Sequence, residues 1–208
     1  MARSARDDRG RPISNVRALA LATVGSGLAA AFALGLNGTG NLGWHAAVRI
    51  TAVVCFPLWW LAFVSGPLAR LAPHRWTRAL RTQRRPLGVA FAASLVVHGA
   101  TIVALSQSEP SVIDPGLEFG FGGMGIVFAI AMAVTSTDAA MRRFGSRWRV
   151  LHRTGQWWLF VIFASSYGGR VTEDLDYWPG AAMVVAALAL RVAAHARNRR
   201  ADPRPTPA

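Results

Sequence analysis

The chain has 208 residues, 52% of them hydrophobic and only 16% charged, against roughly 25% charged residues in an average soluble domain. Its net charge of +13 comes wholly from arginine and is cut into clusters by apolar blocks of membrane length; this excludes a continuous basic stripe for nucleic acid and marks an integral membrane protein. A lone cysteine, Cys55, excludes an intramolecular disulfide framework and a cysteine metal site.

Residues 1–17 form a polar, arginine-rich tail. The first apolar run, Ala18–Leu36, is longer than the h-region of a signal peptide and is expected to be a retained helix that ends at the Asn37–Asn41 turn. A second run spans Ala46–Val64, with Pro57 expected to kink it, and stops at Ser65-Gly66-Pro67-Leu68-Ala69-Arg70. A basic loop leads to Arg84-Arg85-Pro86, where proline suits a first helical turn, and the third run is Leu87–Leu105. After a polar, acidic loop come a fourth run, Gly123–Val134, a short fifth, Gly155–Tyr167, and a sixth, Pro179–Ala194. Gly120-Phe121-Gly122-Gly123 has no βαβ context for phosphate binding and is expected to be a flexible loop. The organisation predicted is an all-α bundle of six transmembrane helices over residues 18–196, between basic tails at 1–17 and 197–208.

Six runs put both termini on one side. That side collects 21 of the 23 arginines, leaving only Arg49 and Arg170 opposite, where six of the ten acids fall. The positive-inside rule makes the termini cytoplasmic and the chain a multi-pass protein of the inner, or plasma, membrane.

Ionisable residues at membrane depth are costly and usually functional. His98 lies 13 residues past Arg85, about 20 Å along the third helix. His152 closes a turn crowded by Arg142, Arg143, Arg147, Arg149 and Arg153. A haem b between helices needs axial ligands at one depth. Level with His98 on the fifth helix stands Ser165, while Arg84 and Arg85 stand opposite His152. His45 and His195 read as interfacial polar residues and His74 as solvated. Trp148, Trp157, Trp158 and Trp178 read as an aromatic belt, and Trp59 and Trp60 as core.

Three motifs carry a resemblance: Pro67-Leu68-Ala69-Arg70; Arg84-Arg85-Pro86-Leu87-Gly88 with His98; and Thr135-Ser136-Thr137 followed by Arg143-Phe144-Gly145-Ser146-Arg147-Trp148 and Leu151-His152. With these the chain resembles the ferric reductase-like transmembrane domain family, and within it the haem-binding membrane subunits of periplasmic methionine sulfoxide reductase systems. The resemblance implies haem ligation, hence cofactor and metal binding, by His98 and His152, but not by Ser165, where the family has histidine. At most one haem b is then expected, with FMN on the chain or on a partner as the other cofactor kept open.

The function implied is electron transfer as a subunit of an oxidoreductase. Electrons would pass from a cytoplasmic flavin reductase or the quinone pool to an external oxidoreductase like the methionine sulfoxide reductase catalytic subunit. The alternative is a haem-poor relative serving as membrane anchor or assembly partner.

Overall fold

In the computed structural model, residues 13–111, 117–172 and 174–201 are described, and they are helical throughout apart from short connections. The elements are α1 (Asn15–Asn37), α2 (Asn41–Leu71), α3 (Arg75–Thr82), α4 (Arg84–Ser108), α5 (Leu117–Val134), α6 (Asp138–Phe144), α7 (Ser146–Gly168), a 3-10 turn at Leu175–Tyr177, and α8 (Trp178–Ala201). Each of the six apolar runs lies within one helix.

Four segments are long and apolar enough to cross a membrane: α1, α2, α4 and residues 175–200. A fifth arises if α5 and α6, bent by 104° across a short break, are counted together. α7 falls short by composition: its first three turns carry Arg147, Arg149, His152, Arg153 and Gln156.

Contacts between helix ends show the alternation. At one end Arg85 meets Asp138 at 2.7 Å, Asn15 reaches the Ser136 carbonyl, and Arg197 donates to the Leu71 carbonyl at 3.0 Å. At the other end His45 meets Glu109 at 3.2 Å and Arg49 approaches Asp174 at 3.7 Å. Both described chain ends lie at the first, basic end. The Glu109 contact agrees with an interfacial place for His45.

α1 shows how the helices come together. It turns Ala18, Ser26, Ala30 and Ala33 inward and leaves Leu21, Leu28, Phe32 and Leu36 exposed. In lipid there is no hydrophobic gain from burying leucine, so small residues at the contact let helices approach closely. The seam is tied by a 2.7 Å hydrogen bond between the Ser26 and Ser94 hydroxyls.

α2 is the central element. At 31 residues it is about 47 Å long, beyond the roughly 30 Å hydrocarbon core. It continues past the expected stop at residues 65–70, through Pro57 and Pro67. Its Phe56, Trp59 and Phe63 begin an aromatic column that α4 extends with Phe91 and α7 with Phe160, Phe163 and Tyr167. Trp59 and Phe163 are 4.5 Å apart between ring centroids, as are Phe56 and Tyr167, and Phe63 stacks on Phe160 at 5.6 Å. Trp59 is therefore core, and Trp60 donates its indole N–H to the Met183 carbonyl at 2.7 Å.

Two expectations fail. Gly120–Gly123 is not a loop but part of α5, since bilayer helices tolerate glycine far better than helices in water. The basic connection after α2 is not plain loop either: it folds into α3, with Arg75, Arg78 and Arg81 in its eight residues and the exposed His74 at its N-cap.

Candidate functional site

His98 sits on the face of α4 that packs against α2. Its Nδ1 lies 2.9 Å from the Thr51 hydroxyl, which also lies 2.7 Å from the Ala47 carbonyl. A carbonyl only accepts, so the single Thr51 proton goes there and Thr51 accepts from Nδ1–H of His98. That fixes the tautomer with its lone pair on Nε2, and no hydrogen bond among the described residues involves that nitrogen. Thr101 completes the seat by donating to the His98 carbonyl at 2.7 Å and approaching Thr51 at 3.3 Å. One turn along, Ser94 joins Cys55 at 3.1 Å, so Cys55 is a buried structural thiol in this polar seam.

His152 is held differently. Its Nε2 is 3.1 Å from the Thr135 hydroxyl, which donates to the Ala131 carbonyl at 2.7 Å. By the same proton count Nε2–H of His152 donates to Thr135, so this nitrogen is already engaged. Trp148, one turn earlier, stacks on the imidazole at 4.1 Å and donates its indole N–H to the Thr135 carbonyl. The pair clamps the end of α5 to the start of α7. The rest of the motif has local roles. Ser136 donates back to the Met132 carbonyl, and Thr137 caps α6. Arg85 is hydrogen-bonded to Asp138 and holds that carboxyl below the ordinary carboxylate range. Gly145 turns between α6 and α7 at φ +50°, a value that side chains with a Cβ rarely adopt.

The two histidines stand at different levels. His98 is 14 residues into α4, about 21 Å, and His152 six residues into α7, about 9 Å, both counted from the basic end. A gap of about 12 Å is too large for one iron to be shared. Ser165 does not share the level of His98: α7 begins six residues before His152, so Ser165 is 19 residues into it, about 28 Å from the basic end by the same count. It lies five residues beyond Phe160, about 140° around α7 from the aromatic column, and is exposed, its hydroxyl donating to the Ile162 carbonyl.

Among the described residues no group of three or more His, Cys, Asp or Glu side chains gathers as a metal cage. An axial haem ligand is one imidazole with a free, oriented nitrogen, and His98 meets that requirement. Beside the column, Trp59 Nε1 is buried without a hydrogen-bond partner, a donor that a cofactor could use. The residues present fit one strong axial ligand and offer no second imidazole at its level.

Thr51, Thr101 and Gln156 are not singled out by the sequence, and Thr135 enters there only as part of a motif. Hydroxyls inside apolar runs were the available signal, because in lipid each must find a partner. Arg191, counted only for its charge, proves half-buried within α8.

No solved structure matches the chain significantly. The haem-binding subunit MsrQ of the protein-methionine-sulfoxide reductase from Brucella anthropi is 28% identical over 135 residues, covering 59% of this chain. The matched region spans 58% of that relative's length. The family model described as the ferric reductase-like transmembrane component matches residues 48–164, more than half the chain, and takes in Thr51, His98, Thr135 and His152. The chain belongs to the ferric reductase-like transmembrane component family.

Proposed function

We propose that this chain is a b-type haem subunit that carries electrons across the membrane, with His98 Nε2 as the iron ligand. The observation carrying this reading is the seat of His98: Thr51 holds its Nδ1 at 2.9 Å and leaves Nε2 unspent. Such a partner on the far nitrogen is typical of metal-bound histidines, where it fixes ring orientation and raises basicity. His152, whose Nε2 is held by Thr135, would serve a second, lower level through Nδ1, or through Nε2 if its ring leaves Thr135. When bound, haem supplies a one-electron couple whose potential depends on axial ligation and burial. The chain orients the ligand through Thr51, excludes water with the column from Phe56 to Tyr167, and offers a donor at Trp59 Nε1.

The wider setting is part of the same proposal. Six helices cross the plasma membrane with both termini cytoplasmic, supported by the alternation of the helices and the arginine bias toward one end. The printed name of the Brucella relative supports an external partner of the methionine sulfoxide reductase catalytic type. The donor is a cytoplasmic flavin reductase or a quinol. Any FMN belongs to that partner, because the described residues form helices without a βαβ nucleotide unit.

Ser165 favours a second reading, a haem-poor anchor or assembly subunit, because it supplies no imidazole and points away from the column. A reduced-minus-oxidised absorption spectrum of the purified chain separates the two. Haem b bands at up to one per chain are expected; their absence after expression with ample haem would leave the anchor reading.

A further inference from the structure

Where α1 meets α2 and α4 the helices leave a slot of about 540 Å³. From a mouth at Ile13 and Gln83, at the basic end, it reaches Ser26, eleven residues into α1, about 16 Å by helical rise. Small residues hold it open: Ala18, Ala22 and Gly25 of α1 line it opposite Leu61 of α2. Elsewhere a glycine lets a neighbour close in. A Cβ on Gly99 would stand 2.6 Å from Ile126, and one on Gly155 would stand 2.9 Å from Met132. A Cβ on Gly25 would meet nothing within 4 Å, so no neighbouring side chain takes up its space.

The wall decides what can enter. Ser26 and Gln83 are its polar residues among those described, and both are engaged. Ser26 is bonded to Ser94 at 2.7 Å, and the Gln83 side-chain carbonyl accepts from the Ile13 N–H at 3.1 Å. No charged side chain lines the slot. A peptide segment would bring N–H and C=O groups to a wall without partners, which is costly in an apolar setting. A helix, about 10 Å across, is too broad for this volume spread over such a length. An uncharged hydrocarbon chain meets neither obstacle.

The mouth adds a sign. Arg17, Arg81 and Arg84 are the chain neighbours of Ala18, Leu80 and Gln83, which line the slot at its basic end. Arginines at the interface with carbon alone above them follow the order of an anionic phospholipid standing in its leaflet. We propose that the slot holds one acyl chain of an anionic phospholipid, with the headgroup beside Arg17, Arg81 and Arg84. Such a lipid fastens α1, which precedes the family-matched residues 48–164, to the pair α2 and α4.

The test uses the full chain in phosphatidylcholine nanodiscs containing phosphatidylglycerol with a diazirine on its acyl chain. After irradiation, labelled peptides are mapped, and lipid that survives transfer to detergent is counted by native mass spectrometry. Wild type should retain one phosphatidylglycerol and carry label on both α1 and the Val54–Leu61 face of α2. Gly25→Leu fills the slot and should abolish retention. Gly27→Leu, on the same helix but outside the slot, should leave it unchanged and shows that α1 accepts a leucine. Arg84→Gln should lower the preference for phosphatidylglycerol over phosphatidylcholine about fivefold, as expected for one arginine at a membrane surface. Undiminished retention in Gly25→Leu would overturn the slot as the site. Retention of phosphatidylcholine or of an isoprenoid quinone in place of phosphatidylglycerol would overturn the anionic lipid as its occupant.

Discussion

The Nδ1 atom of His98 lies 2.9 Å from the hydroxyl of Thr51, a residue 47 positions earlier on the neighbouring helix. The contact orients an imidazole that nothing else on α4 would hold in one rotamer. Thr51→Val keeps the shape and removes the oxygen. Haem retention should fall about tenfold, as for other partners of metal-bound histidines, while Thr51→Ser should keep it. Titration with haem, read as Soret absorbance per chain, measures this. Equal retention in Thr51→Val and wild type would mean that the hydroxyl does not position the ligand.

His98→Ala should abolish haem binding, and His152→Ala should not. The latter breaks the clamp with Thr135 and Trp148, so its expected effect is on stability, about 1 kcal/mol for one lost hydrogen bond. With one strong ligand the reduced iron should take up carbon monoxide, which binds only where an axial position is open. Haem retained in His98→Ala, with a spectrum unmoved by carbon monoxide, would point to ligands such as His152 with His195.

Ser165→His places an imidazole near the outer end of α7 and should leave haem content unchanged. The side chain would project about 140° away from the Phe160 face, toward the outside of the bundle. A clear rise in Soret absorbance would show that α7 rotates when haem is present.

A reporter fused after Ala208 should read cytoplasmic and one inserted at Asp114 external, as the clustering of arginines at the termini end requires. An external signal from the Ala208 fusion would reverse the orientation or change the number of spans.

The helices were legible where a run is long and apolar, because membrane thickness alone sets that length. Gly120–Gly123 misled because glycine ends helices in water and packs them in lipid. α3 and α6 are only eight and seven residues long, too short to show a period against a loop. Depth along a helix follows from counting only once its first residue is known: counting from His152 put Ser165 level with His98, but α7 begins six residues earlier and sets the two about 7 Å apart. Azimuth depends on which neighbour each face meets, and α7, with arginines in its first turns and serines in its last, carries no clean apolar stripe to reveal it. The partner of His152 lay inside the Thr135–His152 motif. The partner of His98 lay on another helix, with no spacing to betray it.

The arginines of α3, α6 and the opening of α7 bring Arg75, Arg78, Arg81, Arg142, Arg143, Arg147 and Arg149 to a single end of the bundle, where Asp138 is the acid described. Summed charge of one sign steers encounters as well as anchoring the protein. A soluble donor with an acidic face should therefore reach this end fastest in dilute buffer. Its bimolecular rate should drop as salt shortens the screening length toward about 8 Å at physiological ionic strength, with the rate of the bound electron-transfer step left untouched.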